Sequence, residues 1–305
     1  MIPTKAIYVD WHLPKKKRGA GLPFKKPWEI AMIVRSTHFS RVYNDLSPVL
    51  YCDEDTFEYY DELGLLKHFD DVHMILPNET DYDANIFWSA GKFYAIQHCE
   101  ENFVMIDLDA EIRFKIDFED FDVYSAHLES VEKTDLKYYP DAQYLDTKDY
   151  LGKKYNVNWG DLACNTSVLY IRDLDFAKKY ASAAIDFITN LDDINPAFEK
   201  NAYMLLIEQR FLYELINADE LKLGCMISGK YVPNNNSHGL PAFEDSNLEE
   251  VSDMGFLHVR GFKNDMSGNK EREEEFFGDL ISSFHEISSD IIYSVSMNYK
   301  LYIDK

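Results

Sequence analysis

Phe103-Val104-Met105-Ile106-Asp107-Leu108-Asp109 places four large apolar residues directly before a pair of aspartates. An apolar run of that length, cut off by polar residues, predicts a strand buried on both faces, as in the parallel sheet of an α/β domain. Ligands of such sheets bind in the crevice beyond the carboxyl ends of the strands. Asp107 and Asp109 can both turn toward that crevice once the strand ends. Paired hard oxygen ligands suit Mg²⁺ or Mn²⁺, and such an ion is commonly completed by substrate phosphates. The local expectation is a metal–diphosphate site. A plain polar turn is the competing reading. A calcium loop extended by Glu111 is a third, though the glycine and ligand spacing of an EF-hand are missing.

Working outward, strands alternate with helices. Lys5–Val9 reads as a first strand and Pro48–Cys52 as a second, with Val72–Leu76 as a third. Between them, Pro27–Tyr43 carries Trp28, Ile30, Ala31, Ile33, Val34 and Phe39 at helical spacing, with Pro27 suited to a first turn. Asp55–Leu66 is expected to be a helix ending near Gly64, and Asn85–His98 another. This βαβαβαβ rhythm predicts a mostly parallel central sheet with helices on both faces. Further on, Asp122–His127 and Ala163–Ile171 read as strands, Leu174–Leu191 and Ala197–Ile216 as helices. Residues 217–256 look loop-rich with short strands. Arg272–Ser296 has an apolar face at Phe276, Phe277, Leu280, Ile281, Phe284, Ile287 and Ile291, predicting one helix packed on the body. With no Gly/Ser/Pro linker, residues 1–305 are expected to form one domain: a nucleotide-binding half (1–110), an acceptor and donor-sugar half (111–265) and a C-terminal helical extension (266–305).

The chain has 305 residues, of which 46% are hydrophobic and 15% aromatic, enough for a large core. Acidic residues outnumber basic ones 54 to 31, for a formal charge of −23. That argues against nucleic acid as the main partner, since phosphate backbones require a basic face. Any phosphorylated ligand would need cations at its site. Cys52, Cys99, Cys164 and Cys225 are too scattered for a zinc or disulfide framework. The start lacks the apolar core of a signal peptide, and no stretch approaches the ~20 apolar residues of a membrane span. A cytoplasmic location is the expectation.

One stretch is sharply basic: Pro14-Lys15-Lys16-Lys17-Arg18-Gly19-Ala20-Gly21, with Lys25 and Lys26 soon after. Following the first strand, it belongs on the same sheet edge as Asp107 and Asp109. Such a loop can cover a phosphorylated ligand or be merely solvated. Its spacing matches neither a P-loop nor a Rossmann fingerprint, which weighs against an ATPase or a dehydrogenase.

The whole pattern resembles a glycosyltransferase of the GT-A fold. Phe87-Trp88-Ser89-Ala90-Gly91-Lys92-Phe93-Tyr94-Ala95 followed by Phe103–Asp109 is similar to that fold's helix–strand–DxD core. Three later stretches match in order: Cys164-Asn165-Thr166-Ser167-Val168-Leu169, Ile207-Glu208-Gln209-Arg210-Phe211-Leu212, and Leu257-His258-Val259-Arg260-Gly261-Phe262-Lys263. The nearest groups are the retaining glycogenin and galactinol-synthase enzymes and a bacterial family of uncharacterised GT-A-like proteins. The latter shares the opening strand, an acidic residue after strand two and a Trp-x-x-Gly-Lys helix. Glu208 stands where an aspartate is usual, Thr166-Ser167 where glycine is common, and the His-x-x-Gly-x-Lys stretch is one residue short.

The resemblance implies a metal-dependent transferase moving a sugar from a nucleotide-diphosphate donor, a UDP-sugar by preference, to an unknown glycan, protein or small-molecule acceptor, with retention of configuration. It implies Mn²⁺ or Mg²⁺ on Asp107, Asp109 and His258, and phosphate contacts from Lys263 and Arg260. Asn165 and Gln209 would offer amides to sugar hydroxyls. Glu208 would accept an acceptor hydroxyl or pair with Lys92, itself a donor contact or a salt-bridge lysine. Asp53 would contact the nucleoside or cap the next helix. Trp11, with His12, would flank the base or serve the core. Two rivals are a non-catalytic relative that binds a nucleotide sugar or glycan, and a nucleotidyltransferase.

Overall fold

The computed structural model describes residues 2–19, 21, 23–132, 138–146, 150–191, 194–195, 198–227, 230–232, 242–243, 255–259 and 269–303. Four strands form the parallel half of the sheet: β1 (Lys5–Asp10), β2 (Ser47–Cys52), β3 (Asp71–Met74) and β4 (Phe103–Ile106). Their order is β3-β2-β1-β4, and every pairing among them is parallel. All four side chains of β4 are buried, as its unbroken apolar run requires. The sheet continues from β4 through β7 (Leu162–Ile171) to β6 (Val123–Ser130), both contacts antiparallel; β6 then pairs in parallel with both short strands β8 (Leu223–Cys225) and β9 (Lys230–Val232), and β9 pairs antiparallel with β10 (Ala242–Phe243). The reversed β7 brings its residues 165–167 to the edge where β4 ends.

Alternation along the strands divides the core into two layers. Ile7, Val49, Met105 and Leu169 face one side, under α4 (Gly91–His98), α6 (Leu174–Asn190), α7 (Lys200–Leu205) and α8 (Phe211–Ala218). Ala6, Tyr8, Leu50, Val104, Ile106, Val168 and Tyr170 face the other. There they meet α2 (Pro27–Asn44), α3 (Glu54–Glu62), α9 (Lys270–Ser282) and α10 (His285–Ile303). The mostly parallel α/β sheet with helices on both faces is as expected. Among the described residues, no helix is long and apolar enough to cross a membrane.

Four expectations change. The helix expected over Asn85–His98 begins only at Gly91, because residues 83–90 close into single turns on Asp83 and Phe87 carbonyls. The basic loop contains a short helix, α1 (Leu13–Lys17), and another, α5 (Tyr150–Tyr155), lies in a stretch with few sequence signals. The helix at Ala197–Ile216 is described from Lys200 and widens into a π-helical turn over Leu206–Arg210; Ala197 lies outside the described residues. The single C-terminal helix is two, α9 and α10, broken at Ser283 and Phe284.

That break is held by a buried arginine. Arg35 of α2 donates to both oxygens of Glu111, at 2.8 and 3.0 Å, and to the Leu280 carbonyl and Ser283 Oγ at the end of α9. Its guanidinium also lies over the rings of Phe39 and Phe284.

His68, beside α2, is buried and its Nε2 has no hydrogen-bond partner. Burial pushes it down to about 4 from an ordinary 6.5; Lys67, Arg41 and His38 act in the same direction and Asp290 opposes them. The unfolded chain therefore takes up a proton between pH 6.5 and pH 4 that the folded protein refuses. Stability is expected to fall across that window as pH drops, by about 3 kcal/mol in all. Denaturant titrations of wild type and His68→Gln between pH 7 and pH 4.5 check this. The variant should have the flatter profile, and parallel profiles would refute the assignment.

Candidate metal and phosphate site

At the carboxyl edge of the sheet, β4 turns sharply: Ala110 N donates to the Asp107 carbonyl at 2.9 Å, and Asp107 N to the Ser167 carbonyl at 2.8 Å. The chain then enters β5 (Ala110–Ile112), which pairs antiparallel with β11 (Phe256–His258). In that register His258 lies opposite Ala110, and Val259 N donates to the Asp109 carbonyl at 3.1 Å. The imidazole is thereby carried onto the two aspartates. His258 Nε2 is 3.9 Å from Asp107 Oδ2 and 3.8 Å from Asp109 Oδ1.

One ligand atom from each of these three residues lies within 4.8 Å of the others. An ion with bonds of about 2.1 Å separates its ligands by roughly 3 to 4 Å, so the spacing suits one divalent cation. Two carboxylates and an imidazole leave coordination positions for ligand oxygens. Burial raises the Asp107 carboxyl above its ordinary range; Lys92 opposes that, and Asp109 and Glu208 add to it. A bound cation would relieve the carboxylate repulsion.

Lys92 occupies the centre of the site. Its Nζ is 2.7 Å from Asp107 Oδ1 and 2.6 Å from Glu208 Oε1. Burial would lower the ammonium, but the two carboxylates outweigh it and hold Lys92 above its ordinary value. Gly91 makes this position accessible. A Cβ there would lie 3.1 Å from Val9 Cγ1 and 3.4 Å from Trp11 Cβ, a tight fit that would press on β1 and the residue that follows it.

Glu208 sits in the π-helical turn, where its carbonyl accepts from the Tyr180 hydroxyl at 2.6 Å. Its Oε1 also accepts from Thr166 Oγ1 at 2.7 Å, while the buried Oε2 has no partner. Widened turns of this kind collect at functional sites, since they re-aim side chains off the regular helical face. Asn165 spends its amide on protein groups: Nδ2 donates to Glu129, and Oδ1 accepts from Ser167 N and Oγ.

These residues share one cavity of about 590 Å³. Its wall includes Asp107, Asp109, His258, Lys92, Asn165, Glu208 and Gln209, and also Trp11. Four cations of the basic segment, Lys15, Arg18, Lys25 and Lys26, line it as well. Lys25 is held there by Asp10 at 2.7 Å, and its backbone carbonyl by Asn298 of α10 at 2.9 Å. Arg18 bonds to the Asn85 side chain and Lys26 to Glu273.

Trp11 is a buried cavity wall, its Nε1 donating to the Pro77 carbonyl at 2.9 Å. Asp53 is not among the lining residues. It caps α3 through Thr56 N and accepts His12 N and Leu13 N, the capping alternative foreseen for it. His12 is likewise buried outside the wall. Arg260 and Lys263 lie outside the described residues. The sequence reading missed Trp88, which is 40% exposed and lines the cavity, and also Asn201 and Thr166. Its place in the Trp-x-x-Gly-Lys stretch, just before Gly91 and Lys92, was the available signal for the first. Thr166 lay in the quoted Cys164–Leu169 stretch without a role, and nothing local marked Asn201.

The fold and site together define an α/β protein with a cation-suited cluster at the carboxyl edge of its sheet. The chain belongs to a family of unknown function, DUF6734, whose model matches residues 11–291. A search of curated proteins found no match. Among solved structures, similar chains include the galactosyltransferase LgtC in complex with donor and acceptor sugar analogs, at 11% identity and a TM-score of 0.41, covering 94% of this chain and 99% of that one. Mouse xyloside xylosyltransferase 1 is 13% identical with a TM-score of 0.32, covering 73% and 77%. The Streptococcus pneumoniae glycosyltransferase GlyE is 12% identical with a TM-score of 0.36, covering 72% and 45%.

Proposed function

We propose that this protein is a divalent-metal-dependent glycosyltransferase that takes its sugar from a nucleoside-diphosphate donor. The observation that carries the proposal is the meeting of Asp107, Asp109 and His258 in the same cavity as the basic segment. Charge balance supports it. Among the described lining residues, five cations (Lys15, Arg18, Lys25, Lys26 and Lys92) face five carboxylates (Asp10, Glu29, Asp107, Asp109 and Glu208). One divalent cation would leave that wall with two positive charges in excess, the complement of a diphosphate diester.

The roles follow from chemistry. Asp107, Asp109 and His258 would hold the ion, and a divalent cation there would supply positive charge against a departing diphosphate. Lys15 and Arg18, in the lining of the same cavity, bind the phosphates, and Arg260 and Lys263, next along the chain from His258, belong to the same role. Lys92 keeps Asp107 and Glu208 in register. The unpartnered Oε2 of Glu208 accepts a sugar hydroxyl, since a buried carboxylate oxygen without a donor costs about 1–3 kcal/mol or more. Trp88, exposed at the wall, offers a face on which a sugar or base stacks.

A thermal-shift screen of nucleotide sugars with and without Mn²⁺, followed by detection of released nucleoside diphosphate, tests this. The right donor should raise the melting temperature only with the metal, by mass action worth about 2.7 kcal/mol at a hundred times Kd. Binding without turnover would mark a non-catalytic relative. Release of pyrophosphate from a nucleoside triphosphate would replace the proposal by a nucleotidyltransferase.

A further inference from the structure

Of the four cations that the basic segment places in the cavity wall, Lys25 is the buried one. Its side chain is 6% exposed, and Nζ lies 2.7 Å from Asp10 Oδ2, which also accepts from the Tyr60 hydroxyl at 2.6 Å. Both polar groups of its backbone are engaged as well. Lys25 N donates to the Tyr59 hydroxyl and the Lys25 carbonyl accepts from Asn298 Nδ2, each at 2.9 Å. The Tyr59 hydroxyl donates in turn to Asn298 Oδ1 at 2.8 Å, which closes a ring of three hydrogen bonds.

One proton arrangement satisfies that ring. A peptide N–H only donates, a carbonyl only accepts, and a phenol carries a single proton. Burial pushes Tyr59 up to about 12, so the proton stays on the hydroxyl and goes to Asn298. A reversed amide would set two carbonyl oxygens against each other and an NH₂ against the phenol proton. Tyr59 and Asn298 are 4% and 7% exposed, so losing either leaves a buried polar group without a partner. Among the described residues, α10 supplies none of the cavity wall and acts on it from behind, through Asn298.

We propose that Lys25 is a diphosphate-binding residue of the cavity, and that Tyr59 and Asn298 are positioning residues through which α10 fixes it there. This rests on the diphosphate part of the reading above. A lysine is ordinarily a mobile point charge on a four-carbon stem. Here the backbone is clamped and the ammonium anchored before any ligand arrives, so little freedom remains to be lost on binding. An ammonium has three donors, and Asp10 engages it from one side; phosphate oxygens accept from the rest. Burial alone would lower the ammonium, but Asp10 and Glu29 outweigh it and push Lys25 up to about 12, which keeps it charged. The charge of Asp10 is offset by Lys25 itself and by the Tyr60 hydroxyl. No covalent bond changes, and no proton is transferred.

Calorimetric titration of the full-length protein with the Mn²⁺ complex of inorganic diphosphate, well below the melting temperature, tests this. Lys25→Met should weaken binding roughly tenfold to a hundredfold, the range for a hydrogen bond to a charged group. Asn298→Leu and Tyr59→Phe leave Lys25 itself in place and should each cost roughly threefold to tenfold, and neither should cost anything further when added to Lys25→Met. Lys67→Met breaks a different tie to α10, the surface pair with Asp290 at 2.5 Å, and should stay within about twofold of the wild type. If Lys25→Met does not fold, the comparison of Asn298→Leu and Tyr59→Phe with Lys67→Met still decides.

Wild-type affinity in Lys25→Met, or no binding by the wild type, overturns the diphosphate contact. Wild-type affinity in Asn298→Leu and Tyr59→Phe, or losses that add in full to that of Lys25→Met, would reduce the ring to a structural role. An equal loss in Lys67→Met would do the same. A protein that shows the expected pattern yet releases no nucleoside diphosphate from any sugar donor would instead overturn the transfer reading and leave the Lys25 site standing.

Discussion

Exchanging Asp107 and Asp109 for asparagine is expected to remove Mn²⁺-dependent release of nucleoside diphosphate while leaving the folded structure in place. Asparagine keeps the shape of each side chain and the turn that closes on the Asp107 backbone, at 2.8 and 2.9 Å. Lys92 does not become an unpaired buried charge, because Glu208 still neutralises it at 2.6 Å. What disappears is the pair of hard anionic ligands, leaving one imidazole, which holds Mn²⁺ or Mg²⁺ weakly. Loss of the ion removes about 4 kcal/mol or more of charge stabilisation, roughly a thousandfold in rate. Calorimetric titration of Mn²⁺ and turnover, read beside circular dichroism, check both halves. Wild-type metal affinity in the double variant would show that the ion, if any, binds elsewhere.

The second large effect is expected at Arg35. It and Glu111 are 2% and 0% exposed, so neither charge can fall back on water if its partner is removed. Arg35→Leu leaves Glu111 charged with, among the described residues, only the half-buried Arg113, at 3.3 Å, beside it, and strips the Leu280 carbonyl and Ser283 of a donor. Removing one member of a buried pair costs about 3–5 kcal/mol, a fall in melting temperature of roughly 10 °C for a protein of this size. Replacing both with apolar residues, Arg35→Leu with Glu111→Leu, should recover a large part of that loss. Glu111 lies opposite Leu257 on the β5–β11 pair that delivers His258, so Arg35→Leu should also weaken Mn²⁺ binding. Thermal unfolding of the three variants, with metal titrations of each, measures the coupling. A double variant no more stable than the single would argue that the cost is lost packing on Phe39 and Phe284.

Trp88 and the π-helical turn mark where local patterns stop being informative. The apolar run at Phe103–Ile106 and the helical spacing at Pro27–Tyr43 reappear almost residue for residue, because burial on one or both faces is written into the side chains themselves. The C-terminal apolar period runs straight through Ser283 and Phe284, so it could not reveal that the helix breaks there to meet Arg35. The direction of β7 was equally hidden, since an apolar run is the same for parallel and antiparallel neighbours. A widened turn at Leu206–Arg210 has no periodicity of its own over five residues.

The amino-acid order alone determined the alternating α/β layout, the two-sided burial of β4, the acidic exterior with one basic segment, and the aspartate pair placed where a strand ends. Those are short-range matters of hydrophobic period and charge. The folded chain decided the rest: His258 arriving on the aspartates through the β5–β11 pairing, Lys92 lodged between Asp107 and Glu208, Asp53 turned to capping, and Gln209 tied through Tyr139 to Glu129. Each joins residues far apart in sequence, and such contacts depend on strand register and on which buried polar groups must find partners once the core has closed.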